Sequence, residues 1–139
     1  MLNINPNTDH GKHILNKLNN EHIIWIITVS AAGVPHPSPV WFWWDGQSFL
    51  IYSRANKPKV RNIEIHPTVA LHFNSDFNGH DIVIFQGTAV SDPTIPPANQ
   101  HSGYLEKYRE GIASINMTPE SFAQAFSNPI RITSTTLRG

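Results

Sequence analysis

Gly33-Val34-Pro35-His36-Pro37-Ser38-Pro39-Val40-Trp41-Phe42-Trp43-Trp44-Asp45-Gly46 is the stretch on which the reading of this chain turns. Proline at 35, 37 and 39 removes the N–H donor from every second position of an extended segment that runs from Val34 to Trp44. Such a segment belongs at a sheet edge or in an irregular stretch. Side chains alternate along a strand, so Trp41 and Trp43 point one way while Phe42 and Trp44 point the other. A strand bulky on both faces is buried on both. One side is expected to fill a barrel core, and the other to meet a partner subunit or a flat ligand. Asp45-Gly46 is a strong hairpin turn, with Gln47 to Arg54 as the returning strand.

Working outward toward the N-terminus, Ala31-Ala32-Gly33 supplies a turn, and His22 to Ser30 is a β-branched strand that is apolar on most of both faces. Ile14, Leu15 and Leu18 at helical spacing predict a short amphipathic helix over 9–20, with Asp9 as its cap. In the other direction, Asn56 is placed to cap a helix with Pro58 in its first turn; Val60, Ile63 and Ile65 form its inward stripe before Pro67 stops it. Thr68 to Phe73 and Asp81 to Val90 read as a second hairpin joined through Asn74 to His80. Asp92 to Pro97 is a loop. Tyr104, Leu105 and Tyr108 fit a short helix, and Thr118-Pro119-Glu120 opens another that carries Phe122, Ala125 and Phe126. Asn128-Pro129 ends it, and Ile130 to Thr136 alternates as the last strand.

These elements predict a mostly β fold with peripheral helices, in which hairpin-connected strands form an antiparallel sheet. Six strands in 139 residues suit a small closed or split barrel, spanning 1–139 as one domain. Ten Lys and Arg balance ten Asp and Glu, and only 14% of residues are charged, which argues against a nucleic-acid partner. The absence of Cys excludes disulfides, thiolate metal sites and Cys nucleophiles. The N-terminus does not read as a signal peptide, and no apolar run reaches the roughly 20 residues a membrane span needs, so a cytoplasmic protein with no membrane partner is expected. No G-x-S-x-G elbow, Walker loop, G-x-G-x-x-G fingerprint or H-E-x-x-H helix is present. His10 and His13 share a helical face without a third ligand, and His36, His66 and His72 read as structural; no metal site is expected. No catalytic acid–base pair is identifiable.

The zero net charge hides one concentration. Arg54, Lys57, Lys59 and Arg61 fall within eight residues with no acid among them. They straddle a strand end and the first turn of the following helix, where free N–H groups already favour an anion. The helix dipole contributes about 0.3–1 kcal/mol, whereas one cation about 4 Å from an anion is worth roughly 4 kcal/mol at an effective dielectric of 20. The side chains therefore dominate any phosphate affinity.

G-V-P-H-P-S-P-V-W-F-W-W-D-G at 33–46, F-L-I-Y-S-R-A-N-K-P-K-V-R-N-I at 49–63 and H-P-T-V-A-L-H-F at 66–73, with M-T-P-E-S-F-A-Q-A-F-S-N-P-I-R-I at 117–132, resemble the pyridoxamine 5′-phosphate oxidase-like split-barrel superfamily. Within it the sequence is similar to the small flavin and deazaflavin (F-420-dependent) oxidoreductases. The resemblance implies a six-stranded antiparallel split β-barrel, working as a homodimer with cofactor sites at the subunit interface. It implies that Pro37, Ser38, Pro39, Val40, Trp41 and Phe42 lie along the flavin ring, and that Tyr52, Ser53 and Arg54 approach the phosphate and ribityl end. Lys59 matches the lysine that contacts the phosphate, while Lys57 and Asn62 fall at positions used by the deazaflavin-binding branch. His80 and Asp81 are placed to reach the partner's site. Pro58 stands where the oxidases themselves carry an Arg, and their C-terminal substrate-binding pattern is missing after Ile130, so vitamin B6 oxidation is not expected. The resemblance thus implies FMN or F-420 as cofactor and hydride transfer with a small-molecule substrate. The alternative it leaves open is a non-catalytic dimeric module that binds haem, a bilin or a stored flavin.

Overall fold

The structure, a computed structural model, describes residues 2–139. Seven strands form one antiparallel sheet in the order β2-β1-β5-β6-β7-β4-β3: β1 Ile24–Val29, β2 Pro35–Val40, β3 Trp43–Trp44, β4 Ser48–Ser53, β5 Thr68–His72, β6 Ile84–Ser91 and β7 Asn128–Arg138. Four helices decorate it: α1 Asp9–Asn20, α2 Pro58–Ile65, α3 Ser102–Ser114 and α4 Pro119–Ala125. The proline-alternating strand β2 is an edge strand, as its missing donors require, and Pro35, Pro37 and Pro39 stand opposite Val29, Ile27 and Trp25 of β1.

Although β1 and β4 lie far apart in the sheet, Ile24 and Ile26 share one apolar core with Phe49 and Ile51. The sheet is therefore curled around that core, as expected of a split barrel. Phe42 and Trp44 enter it, and Phe49 lies at its aromatic centre, with ring centroids 6.0, 4.8 and 5.1 Å from Phe42, Trp44 and Phe85.

The strand count is seven rather than six because the aromatic stretch does not run through as one strand. The Phe42 N–H donates to the Tyr108 hydroxyl at 2.8 Å, and the Phe42 carbonyl accepts from Lys107 Nζ at 3.0 Å. With its backbone groups taken by α3, residue 42 leaves the ladder, and Trp43–Trp44 pairs separately with β4. The alternation survives the break. Trp41 and Trp43 pack on a second cluster built from Leu50, Tyr52, Tyr104, Tyr108, Ile112 and Phe122. This face, expected to meet a partner or a ligand, is covered mostly by α3 and α4 of the same chain.

Two glycines let α3 lie that close. A Cβ at Gly103 would stand 2.6 Å from Trp43 Cε2, and one at Gly111 would stand 3.2 Å from Trp41 Cη2. Tryptophan 41 is held between the rings of Tyr108 and Phe122, with centroids at 4.7 and 5.6 Å and planes within 4° and 15°.

Several boundaries differ from the sequence reading. Thr8, not Asp9, caps α1, because its hydroxyl accepts from the Gly11 N–H at 3.0 Å. Lys57, not Asn56, occupies the N-cap of α2 and makes no side-chain cap there. Ile65 is 41% exposed and lies off the inward stripe. Strand β6 starts at Ile84 rather than Asp81, and β7 spans Asn128–Arg138 rather than Ile130 to Thr136. Thr118 caps α4 in a reciprocal pair with Ser121.

Candidate functional site

Strand β4 ends at Ser53, the chain turns through Arg54 to Asn56, and α2 starts at Pro58. That short passage delivers Tyr52, Ser53, Arg54, Lys57 and Lys59 to one end of a groove of about 280 Å³. The edge strand contributes Pro39 and Val40, and Trp41 follows it; α3, α4 and their flanks contribute Tyr104, Ile115, Phe122 and Phe126. Ile23 completes the lining, and no acid belongs to it. The groove is cationic at one end and apolar along its walls.

The cations are held in different ways. The Arg54 guanidinium carbon lies 4.6 Å from the Phe126 ring centroid, a cation–π contact that fixes a long side chain at the mouth. Phe126 in turn stacks on Phe122 at 4.4 Å, so the arginine rests on a column of rings that continues through Trp41. Lys59 donates to Ser53 Oγ at 3.4 Å. Burial, and secondarily the neighbouring charge of Lys57, lower its pKa from the ordinary lysine value. An anion at this point would relieve both effects.

Of the twelve positions implied by the resemblance, Pro39, Val40, Trp41, Tyr52, Ser53, Arg54, Lys57 and Lys59 line this groove together. The remaining four do not. Pro37 and Ser38 lie further along β2, opposite Ile27 and Ile26. Phe42 is fully buried in the barrel core. Asn62 is buried on α2 and donates to Thr28 Oγ1 at 3.0 Å, tying that helix to β1. Arg61 lies on the outer side of α2 with Asn56 and Glu64. Asp81 is engaged elsewhere, 2.8 Å from His13 Nε2 and 3.0 Å from Lys17 Nζ. The hydrogen bond from His13, partly opposed by desolvation and supplemented by Lys17, holds its carboxyl below the ordinary value.

Sequence reasoning missed Ile23, Tyr104, Ile115, Phe122 and Phe126 as groove residues. A signal was present: Gly103 and Gly111 eight apart, Tyr104, Tyr108 and Ile112 four apart, and Phe122 and Phe126 four apart mark helix faces made for packing on large rings. The larger depression of about 810 Å³ runs along α3 past Glu106, Lys107, Arg109 and Glu110. Its mixed charges make it a poor anion site. Among the described residues no group of three His, Asp or Glu could hold a metal ion.

A family model described as pyridoxamine 5′-phosphate oxidase matches residues 11–129. The chain belongs to the pyridoxamine 5′-phosphate oxidase family. No curated protein matches the sequence. Among solved structures, an F420 reductase is similar at a TM-score of 0.64 and 22% identity, over 87% of this chain and 92% of that one. HutZ, the haem storage protein from Vibrio cholerae, is similar at 0.64 and 15%, over 91% and 92% of the two chains. A conserved hypothetical protein from Mycobacterium tuberculosis reaches 0.70 and 20%, over 91% and 81%. At such identities these likenesses show the fold alone, one that an F420 reductase and a haem storage protein both carry. No helix of the described residues is long and apolar enough to cross a membrane.

Proposed function

We propose that the groove holds a phosphorylated flavin, FMN or the deazaflavin F-420, and that the protein is an oxidoreductase acting on a small molecule. The observation that carries this reading is the convergence of Arg54, Lys57 and Lys59 at one end of an aromatic groove without an acid. The residues fit such a ligand: Arg54, Lys57 and Lys59 as cations for the phosphate, Ser53 as a neutral polar group, and Pro39, Val40 and Trp41 as an apolar wall for the ring system. The protein's part is to bind and orient, since a flavin or deazaflavin supplies hydride chemistry itself. The lack of an acid–base pair in the groove is therefore compatible with an enzyme. At about 280 Å³ the groove is below the roughly 300–1,000 Å³ usual for ligand pockets. In our reading the protein is a homodimer, and a second copy closing over the edge strand completes the site at the interface.

The competing reading, a non-catalytic module for haem, a bilin or a stored flavin, draws on the likeness to HutZ. The groove lining contains no His, Met or Cys to serve as an axial haem ligand, and burial raises the pKa of its two tyrosines, Tyr52 and Tyr104, so that neither is a phenolate, which favours the flavin reading. Titration of the purified protein with FMN and F-420, followed by assay for hydride transfer, separates the two. Arg54→Ala and Lys59→Ala should each cost more than about 1 kcal/mol of FMN or F-420 affinity, given charge-assisted bonds of about 1.5–3 kcal/mol. Wild-type affinity in both variants would move the site elsewhere. A loaded protein that stays redox-silent with nicotinamide nucleotides and a broad acceptor panel would sink the enzyme reading.

A further inference from the structure

The cationic end of the groove does not stop at its mouth. Lys57 lines the groove and also a second depression, of about 530 Å³, on the outer side of α2 with Ala55, Asn56, Arg61 and Glu64. Arg61 follows Lys57 by four residues, about one turn along α2, so the two side chains start as neighbours on the helix surface. Both residues are exposed, whereas Lys59 is half-buried and donates to Ser53 Oγ.

No acid of the described residues pairs with this run of cations. The ion pairs there engage His13, Lys17 and Arg131, and none engages Arg54, Lys57, Lys59 or Arg61. Glu64, the one acid of the second depression, forms no ion pair either. The charge of Lys57 already weighs on Lys59, so cations this close gain from an anion among them. A phosphate at the groove end meets Arg54, Lys57 and Lys59. Arg61 lies outside that lining, and a ligand that ends at its phosphate leaves it unused.

We infer that the surface from Lys57 to Arg61 is a second anion subsite, which takes a carboxylate-bearing arm of the coenzyme that runs past its phosphate and out of the groove along α2. This rests on the groove being the coenzyme site, and it selects between the two coenzymes. F-420 carries carboxylates on an arm beyond its phosphate, whereas FMN ends at its phosphate. Because the subsite lies at the surface, its effect is a discrimination that salt screens, and not a large gain in affinity.

The test titrates wild type, Arg61→Gln and, as a distant charge control on α1, Lys12→Gln with F-420 and with FMN at low and at high salt. Arg61→Gln should lower F-420 affinity about two- to fivefold at low salt, the size of one exposed charge pair, and the loss should vanish at high salt. FMN affinity should stay at the wild-type value, and Lys12→Gln should change neither coenzyme. If wild type binds F-420 alone, a loss in Arg61→Gln that is absent from Lys12→Gln sustains the assignment. Equal losses for both coenzymes would overturn it by putting Arg61 at the phosphate. Unchanged F-420 affinity in Arg61→Gln, or a wild type that binds FMN but not F-420, would overturn this inference alone and leave Arg61 a solvated surface residue. If wild type binds neither coenzyme, the coenzyme reading itself falls and this assignment falls with it.

Discussion

The two faces of one aromatic stretch lead into two different interiors. Phe42 and Trp44 enter the barrel core, where aliphatic and phenyl side chains dominate and the buried polar pair Asn62 and Thr28 is closed on itself at 3.0 Å. Trp41 and Trp43 enter the cluster under α3 and α4, where three tyrosines bring hydroxyls and two glycines make room for indole rings. The first interior has nothing to offer a ligand and serves to hold the sheet curled. The second opens at one side into the cationic groove. Polar atoms in the first interior are paired with one another, as Asn62 is with Thr28, whereas the second brings its tyrosines beside the groove.

The largest test of that division is in the barrel core. Phe49 is fully buried among Phe42, Trp44 and Phe85, and Phe49→Ala should cost about 3–5 kcal/mol in chemical denaturation. The fraction still folded should bind coenzyme as wild type does. Weakened binding in that folded fraction would show that the two interiors are not separable.

A smaller effect is expected at the other interior. Phe126→Leu removes the ring under Arg54 while keeping an apolar wall. FMN or F-420 affinity should fall by about 0.5–1 kcal/mol, the size of an exposed cation–π contact. Isothermal titration at low and high salt checks this, and a loss that exceeds that of Arg54→Ala would contradict a role acting through the guanidinium.

The last test lies at the seam, where the effect is confined to alkaline pH. Lys107 donates to the Phe42 carbonyl, with its ammonium 3.7 Å from the Phe42 ring centroid. Burial lowers its pKa to about 8 against an ordinary 10.5, with Glu21 partly opposing. Between those values the unfolded chain holds a proton that the folded chain has given up, so stability should rise gently from about pH 8 to about 10.5. Lys107→Met should flatten that rise in urea denaturation run at several pH values. An equal slope in the variant would assign the rise to other groups.

Much of the fold was legible because it follows from local chemistry. Alternating prolines left only a sheet edge or an irregular stretch, Asp45-Gly46 signalled a hairpin, and the Trp41–Trp44 alternation two buried faces. The span of α1 was read as Asp9–Asn20, which is where it lies. The break at Phe42 was illegible, because it depends on Tyr108 and Lys107 from a helix more than sixty residues away. The caps were misplaced for a smaller reason: neighbouring polar residues compete for the same N–H groups, and backbone geometry decides between them.

The sequence by itself determined the charge and chemistry of the site: four cations in eight residues, no cysteine, and aromatic bulk on both sides of one strand. Such properties are carried by residue types and their spacing, and hold whatever the chain does elsewhere. Tertiary structure alone decided which of those residues meet. Curling of the sheet and docking of α3 through Gly103 and Gly111 put Arg54 on Phe126, turned Arg61 outward and left the Tyr104 hydroxyl without a partner. Packing across long sequence separations sets those contacts, and no local pattern encodes it.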